Sequence, residues 1–237
     1  MRVFLKDISN EIIIDGDEFR HIVKVMRMGV GEELCVFNGD GKNYVAKITQ
    51  IFKDHLCASV FKSEPNMAEP KKQITIFLSL LKGEKMELVV QKITELGATK
   101  LVLFESTNAD RKKGNINFER LNKIAVSASK QCGRSSVLEI CEINAKDVSK
   151  EISKNDLALV FHEKVESQTI KQVFASVDET KVSSVALVIG PEGGLTQSEV
   201  EEYEKYGAKA VSLGKLIFRA ETACIYGMSV VSLKFLI

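Results

Sequence analysis

The chain has 237 residues, 45% hydrophobic and 27% charged, with 33 Lys and Arg against 32 Asp and Glu. That length allows one large or two small cored domains, and the composition excludes a disordered or collagen-like chain. A formal net charge of +1 excludes a uniformly basic nucleic-acid binder, so any such surface must be a local patch. No apolar run approaches ~20 residues, and the N-terminus MRVFLKDISNE lacks a signal-peptide core, so no membrane partner is expected. The cysteines (Cys35, Cys57, Cys132, Cys141, Cys224) are odd in number and show neither CxxC nor CxxH spacing. They read as reduced thiols of a cytoplasmic protein, not as a disulfide framework or a metal site.

The first part, to about residue 63, is strand-rich. Residues 2–5 and 11–14 read as short strands. Residues 17–27 read as a helix, with Phe19, Ile22, Val23 and Met26 spaced to bury one face. Gly29 and Gly31 end it. Strands at 34–38 and 44–52 flank GDG, a hairpin turn of left-handed preference, and 56–62 adds another strand. Small barrel or curled sheet is the reading. Residues 64–72, EPNMAEPKK, carry two of the chain's three prolines and mark a linker, dividing residues 1–70 from 71–237.

From residue 73 strands and helices alternate. Strands are expected at 74–80, 101–104, 137–141, 157–161, 185–189 and 210–213. Helices are expected at 84–96, with Met86, Val89, Val90, Ile93 and Leu96 on one face, and at 118–131. Alternation of this kind implies α/β architecture, with a mostly parallel sheet covered on both faces. The last helix, 221–237, is apolar nearly all round and must be buried in its own core or a partner's.

Two loops in this half carry chemistry. Residues 190–194, GPEGG, follow a buried strand. Pro191 stops the strand, Gly193 and Gly194 permit positive φ and bare backbone, and Thr196 with Glu199 forms a capping box. An ordinary turn needs one glycine; this one has three, with a proline and the carboxylate Glu192. The second loop, SLGKLIFRAETA, sets Arg219 and Glu221 just before the final helix, as a helix-start charge pair or as a cation and anion beside a ligand. Backbone-rich loops at adjacent strand ends are where open α/β sheets bind ligands.

GPEGGLTQSE and LGKLIFRAETA resemble the RsmE family of SPOUT-class RNA methyltransferases, as do HIVKVMRMGVGEE, KGEKMELVVQKITELGA and SKQCGRS, in order along nearly the whole chain. The resemblance implies a trefoil-knotted SPOUT domain behind a small PUA-like RNA-binding β-barrel, a homodimer joined through the SPOUT domain, and S-adenosylmethionine as cofactor. The implied reaction is methylation of uridine N3 in 16S ribosomal RNA, with the free RNA or the assembled 30S subunit as partner. The donor pocket it implies comprises Leu80, Phe161, His162, Ile189, Gly190, Pro191, Glu192, Gly193, Gly194, Leu213, Gly214, Leu216, Ile217, Arg219, Thr222 and Ala223. His162, a lone histidine at a strand end, reads on exposure grounds as a solvated loop residue. Phe218 stands where the family usually has a smaller aliphatic residue.

Methyl transfer to a uracil nitrogen needs positioning and charge stabilisation. Arg219, always charged, suits the uracil oxygens as negative charge develops on the ring. Glu221 accepts a proton or orients Arg219, and Glu192 reads as a loop hydrogen-bonding group. RNA contacts are expected from Arg2, His21, Arg27, Arg111, Lys130 and Arg134, with Lys112 and Lys113 beside Arg111. Other enzyme readings fare worse: no GxGxxG opens a helix after a strand, and no GxxxxGK[ST] occurs. Intact GPEGG and RAETA argue against a non-catalytic RNA-binding protein. Methylation of a different RNA or base position stays open, because fold does not fix function.

Overall fold

The computed structural model describes residues 1–110, 116–165 and 168–237. They form two compact units, Met1–Glu69 with Ser129–Val137, and Pro70–Ala128 with Leu138–Ile237.

The first unit holds a curled sheet of β1 (Arg2–Phe4), β2 (Glu11–Asp15), β3 (Glu33–Phe37), β4 (Lys42–Ile51) and β5 (His55–Pro65), in the order β1-β3-β4-β5-β2. Only the β1–β3 pairing is parallel. Strand alternation decides which side is core: Ile12 and Ile14 of β2 are buried while Ile13 between them is 64% exposed. Two register shifts in the β4–β5 ladder, at Val45/Ala46 and Ile48/Gln50, bend the sheet around that core. The GDG turn takes the left-handed form its sequence predicts, with φ +99° at Gly39 and +81° at Gly41.

The helix expected over 17–27 is shorter and changes pitch. α1 (Gly16–Arg20) gives way to a wide π turn over His21–Val25, where Met26 N–H donates to the His21 carbonyl at 2.9 Å. The added residue per turn rotates the later side chains. Phe19 and Ile22 are buried as expected, but Met26 is 51% exposed. Arg27 then ends the turn at φ +57°, unusual for a residue other than glycine.

Ser129–Val137 belongs to this unit through a polar network. The Arg2 guanidinium donates to the Arg134 carbonyl and the Ser135 hydroxyl, both at 2.8 Å, and to Asn43 at 3.0 Å. The Glu69 carboxylate accepts from the backbone N–H groups of Ser135 and Ser136, and Asn66 donates to the Gly133 carbonyl at 2.7 Å.

The second unit alternates strands and helices: β6 (Gln73–Ser79), α2 (Gly83–Glu95), β7 (Lys100–Phe104), α3 (Phe118–Cys132, its last turn in the first unit), β8 (Glu139–Glu142), α4 (Ala145–Ile152), β9 (Leu157–Phe161), α5 (Ile170–Ser176), β10 (Ser184–Ile189), α6 (Gln197–Lys205), β11 (Lys209–Val211) and α7 (Ala220–Phe235). β8 begins two residues later than its apolar run suggests, because Val137 belongs to the first unit. The sheet is parallel throughout, in the order β11-β9-β10-β6-β7-β8. The chain lays β6, β7 and β8 outward in one direction, then returns to place β9 and β10 on the other side of β6. The reversal falls between β6 and β10, so the crevice beyond their carboxyl ends is the expected ligand position. β9 and β10 are buried along nearly their whole length, as continuous apolar strands covered on both faces must be.

Candidate functional site

The GPEGG loop leaves β10 and turns at once, with Gly194 N–H donating to the Pro191 carbonyl at 2.9 Å. The turn is tight enough that a β-carbon at Gly190 would stand 2.8 Å from the Leu195 nitrogen. Gly194 sits at φ +71°, where glycine alone is unstrained. The capping box that starts α6 is complete: Thr196 accepts from Glu199 N–H, and Glu199 accepts from Thr196 N–H at 2.7 Å. From the loop after β7, Asn108 donates to the carbonyls of Gly193 and Gly194, at 3.3 and 3.1 Å. Thr107 donates to the Glu199 carboxylate through its backbone N–H at 2.9 Å. The loop is thus clamped from outside as well as turned from within.

Facing it, the residues before α7 complete a cleft of about 400 Å³. Phe161, Glu163, Ile189 to Leu195, Ile217 to Ala220 and Ala223 line it. A side pocket of about 70 Å³ adjoins it, bounded by Phe161, His162, Glu163, Ser212, Leu213, Gly214, Leu216, Phe218 and Ala223. The Arg219 side chain is exposed at the cleft and makes no hydrogen bond or ion pair among the described residues. Glu221 is buried behind it, at 9% exposure, with Oε2 lacking a hydrogen-bond partner among the described residues. Lys85 of α2 donates to Glu192 at 2.7 Å and stands 3.9 Å from Glu221. Burial works to raise the Glu192 carboxyl, but the Lys85 hydrogen bond and a backbone contact outweigh it and hold it below the ordinary value.

Most residues expected in the donor pocket therefore meet here. Two do not: Leu80 is buried beside a separate pocket of about 60 Å³, and Thr222 is exposed and lines neither cavity. His162 is not the solvated residue its strand-end position suggests. It is 4% exposed, neither ring nitrogen has a hydrogen-bond partner among the described residues, and Nδ1 lies 3.7 Å from Glu163. Of the expected RNA contacts, His21 and Arg27 are exposed. Arg2 is engaged in the polar network, Arg134 is 3% exposed, and Lys130 pairs with Glu18 at 2.5 Å. Arg111, Lys112 and Lys113 lie outside the described residues. Sequence reasoning missed Glu163, Leu195, Asn108 and Lys85. Lys85 at least lies in a stretch already marked by the KGEKMELVVQK resemblance; a lone Asn after a strand carries no signal.

The sequence profile of an RNA methyltransferase domain matches residues 68–232, and that of an RNA methyltransferase PUA domain matches 14–61. Ribosomal RNA small subunit methyltransferase E of Bacillus subtilis is 32% identical over 226 residues, covering 92% of this chain and 88% of that protein. The chain belongs to this family. The same-named protein of Rickettsia conorii, 30% identical, extends the family match over 95% of this chain and 91% of its own. Solved structures agree with the family fold. A Legionella pneumophila protein described as a methyltransferase, in complex with the cofactor S-adenosylmethionine, superposes with a TM-score of 0.83 at 28% identity, over 98% of this chain and 96% of its own. The Neisseria gonorrhoeae family member, bound to S-adenosylmethionine, gives a TM-score of 0.85 at 24% identity over 99% and 97%, a likeness of fold. The architecture is a parallel α/β RNA methyltransferase domain with a small N-terminal PUA domain.

Proposed function

We propose that this chain transfers a methyl group from S-adenosylmethionine to N3 of a uridine in 16S ribosomal RNA. The observation that carries the reading is the cleft itself, with bare GPEGG backbone on one wall and Arg219 on the other. Its size is that of a small-ligand site, typically ~300–1,000 Å³. Its lining fits a cationic nucleoside: Phe161, Ile189, Ile217 and Ala223 offer apolar contact, and Glu163 and Glu192 offer carboxylates. A side chain at Gly190 would collide with Leu195, so only glycine lets the loop close this tightly along the cleft.

S-Adenosylmethionine bound in the cleft would supply an electrophilic methyl group. The chain's residues do the rest. The glycine loop and the 213–217 loop hold the nucleoside by backbone groups and exclude water. Arg219, without a hydrogen bond or ion pair among the described residues, takes the uracil oxygens as the ring gains negative charge, and Glu221 accepts the N3 proton or orients Arg219. His162 contributes its imidazole, beside Glu163, to the side-pocket wall, and Leu213, Gly214 and Leu216 line it as well.

The rest of the reading concerns partners. Residues 1–70 act as the RNA-binding domain and 71–237 as the catalytic one, with His21 and Arg27 on the RNA surface. Arg2 and the buried Arg134 support that proposed surface from within, through the polar network around Ser135 and Ser136, and Lys130 through its pair with Glu18; Arg111 is proposed as a separate RNA contact. A trefoil knot in the catalytic domain and a homodimer through α7, where Leu233 is 70% exposed, accord with the family resemblance. Free 16S RNA or the assembled 30S subunit is the proposed substrate, in the cytoplasm. Calorimetry with S-adenosylmethionine, followed by nucleoside analysis of 16S RNA incubated with protein and donor both free and within 30S subunits, tests the proposal. Donor uptake and 3-methyluridine are expected. Absence of either would refute it.

A further inference from the structure

Lys85 belongs to none of the roles assigned above, yet among the described residues its ammonium lies against the carboxylates of both Glu192 and Glu221. It rises from the first turn of α2, about one-third exposed, and reaches Glu192 at 2.7 Å and Glu221 at 3.9 Å. Glu192 belongs to the donor loop after β10; Glu221 belongs to the first turn of α7, two residues beyond Arg219. These two segments form the opposite walls of the cleft and have no covalent reason to keep register. The remaining charges near the group are Arg219, which faces Lys85 unfavourably, and Lys82, which acts on Glu192 and itself pairs with Asp110 at 3.2 Å.

From this geometry we infer that Lys85 is a positioning residue for methyl transfer, tying the donor loop to the Arg219-bearing start of α7. The inference rests on the proposed reaction. Its physical basis is that one cation between two carboxylates relieves their mutual repulsion, and a partly buried carboxylate loses most when its counter-ion goes. The Lys85 hydrogen bond with Glu192, the largest influence, raises the ammonium above its ordinary value, so the bridge stays charged at neutral pH. An arginine retains the charge and reach; a methionine retains the apolar stem alone.

The test compares wild type, Lys85→Met and Lys85→Arg by thermal melting, donor calorimetry, and the pH dependence of kcat for methyl transfer to ribosomal RNA. Lys85→Met is expected to melt within a few degrees of the wild-type temperature, since the lysine is about one-third exposed and its methionine replacement keeps the apolar stem in place. Its donor affinity should fall about threefold and its kcat at least tenfold. Its acidic limb should move up by about one pH unit, on loss of the cation bonded to Glu192. Lys85→Arg should return the limb to its wild-type position and restore most of kcat. A Lys85→Met profile superimposable on wild type, or an arginine variant as impaired as the methionine, would overturn the inference while the methyltransferase reading stands. Wild-type protein that takes up no donor would overturn both.

Discussion

A β-carbon added to Gly227 would stand 2.1 Å from Cε2 of Phe161. Gly227 lies midway along α7, and Phe161 ends β9 with its ring forming part of the cleft wall. The bare helix surface is what lets the ring lie back from the ligand space. Gly227→Ala must therefore displace the Phe161 ring or the helix, overpacking that costs ~1–3 kcal/mol, less the modest helix-propensity gain of alanine. We expect a melting temperature lower by several degrees and weaker S-adenosylmethionine binding by calorimetry. Wild-type values for both would show that the ring yields freely.

Arg219→Ala should reduce methyl transfer at least a hundredfold, the scale of losing one charge-stabilising group from a site. The side chain is exposed and bonded to nothing else among the described residues, so the melting temperature should be unchanged. Turnover in the alanine variant within a few-fold of wild type would remove Arg219 from the chemistry.

Asn108 secures the donor loop through two carbonyls, at 3.3 and 3.1 Å. Removing it frees those carbonyls to water rather than burying them, so the cost is the ordinary one of about 1 kcal/mol per bond at most. Asn108→Ala should weaken donor binding roughly fivefold, measured by calorimetry, with RNA affinity unaltered. An unchanged donor Kd would mean that the loop holds its shape unaided.

Asp156 sets an acid limit on stability. Its carboxylate accepts from the backbone N–H groups of Ser183 at 2.8 Å and Ser184 at 3.0 Å, then from the Ser184 hydroxyl, and these hold it below its ordinary value of 3.8. A depressed folded value means that the contribution is complete above 3.8 and is lost as pH falls through the lower value. Asp156→Asn should therefore melt below wild type at neutral pH, and the gap should close as both are titrated to about pH 3 and lower. A gap constant with pH would assign the loss to packing.

For RNA, Arg27 is the most telling basic residue: exposed, and held at positive φ by the π turn before it. Arg27→Gln should weaken RNA binding and lower the salt slope by about 0.7–0.9 if one phosphate contact is lost. Filter-binding across a salt series reads both. An unchanged slope would exclude a phosphate contact.

Much of this was legible from residue order because local chemistry dictates it. The run LALVF at 157–161 reads as a doubly covered strand, five residues being short for a helix, and Pro191 ends the strand before it. Thr196 and Glu199 announced their capping box three residues apart. The π turn after α1 was not legible, since the i, i+3, i+4 spacing of Phe19, Ile22 and Val23 suits an α-helix equally well. His162 was misjudged for a related reason: a strand-end histidine is exposed only if nothing folds over it, and burial is not a local property.

What the sequence alone determined were the elements and the two ligand loops, because capping, turn chemistry and apolar periodicity act over a few residues. Only the tertiary structure decided that Lys85 meets Glu192, that Asn108 clamps Gly193 and Gly194, that Gly227 makes room for Phe161, and that Ser129–Val137 joins the first unit. Each of these joins residues tens of positions apart, and contacts at that range depend on strand order and packing, which no short window of residues encodes.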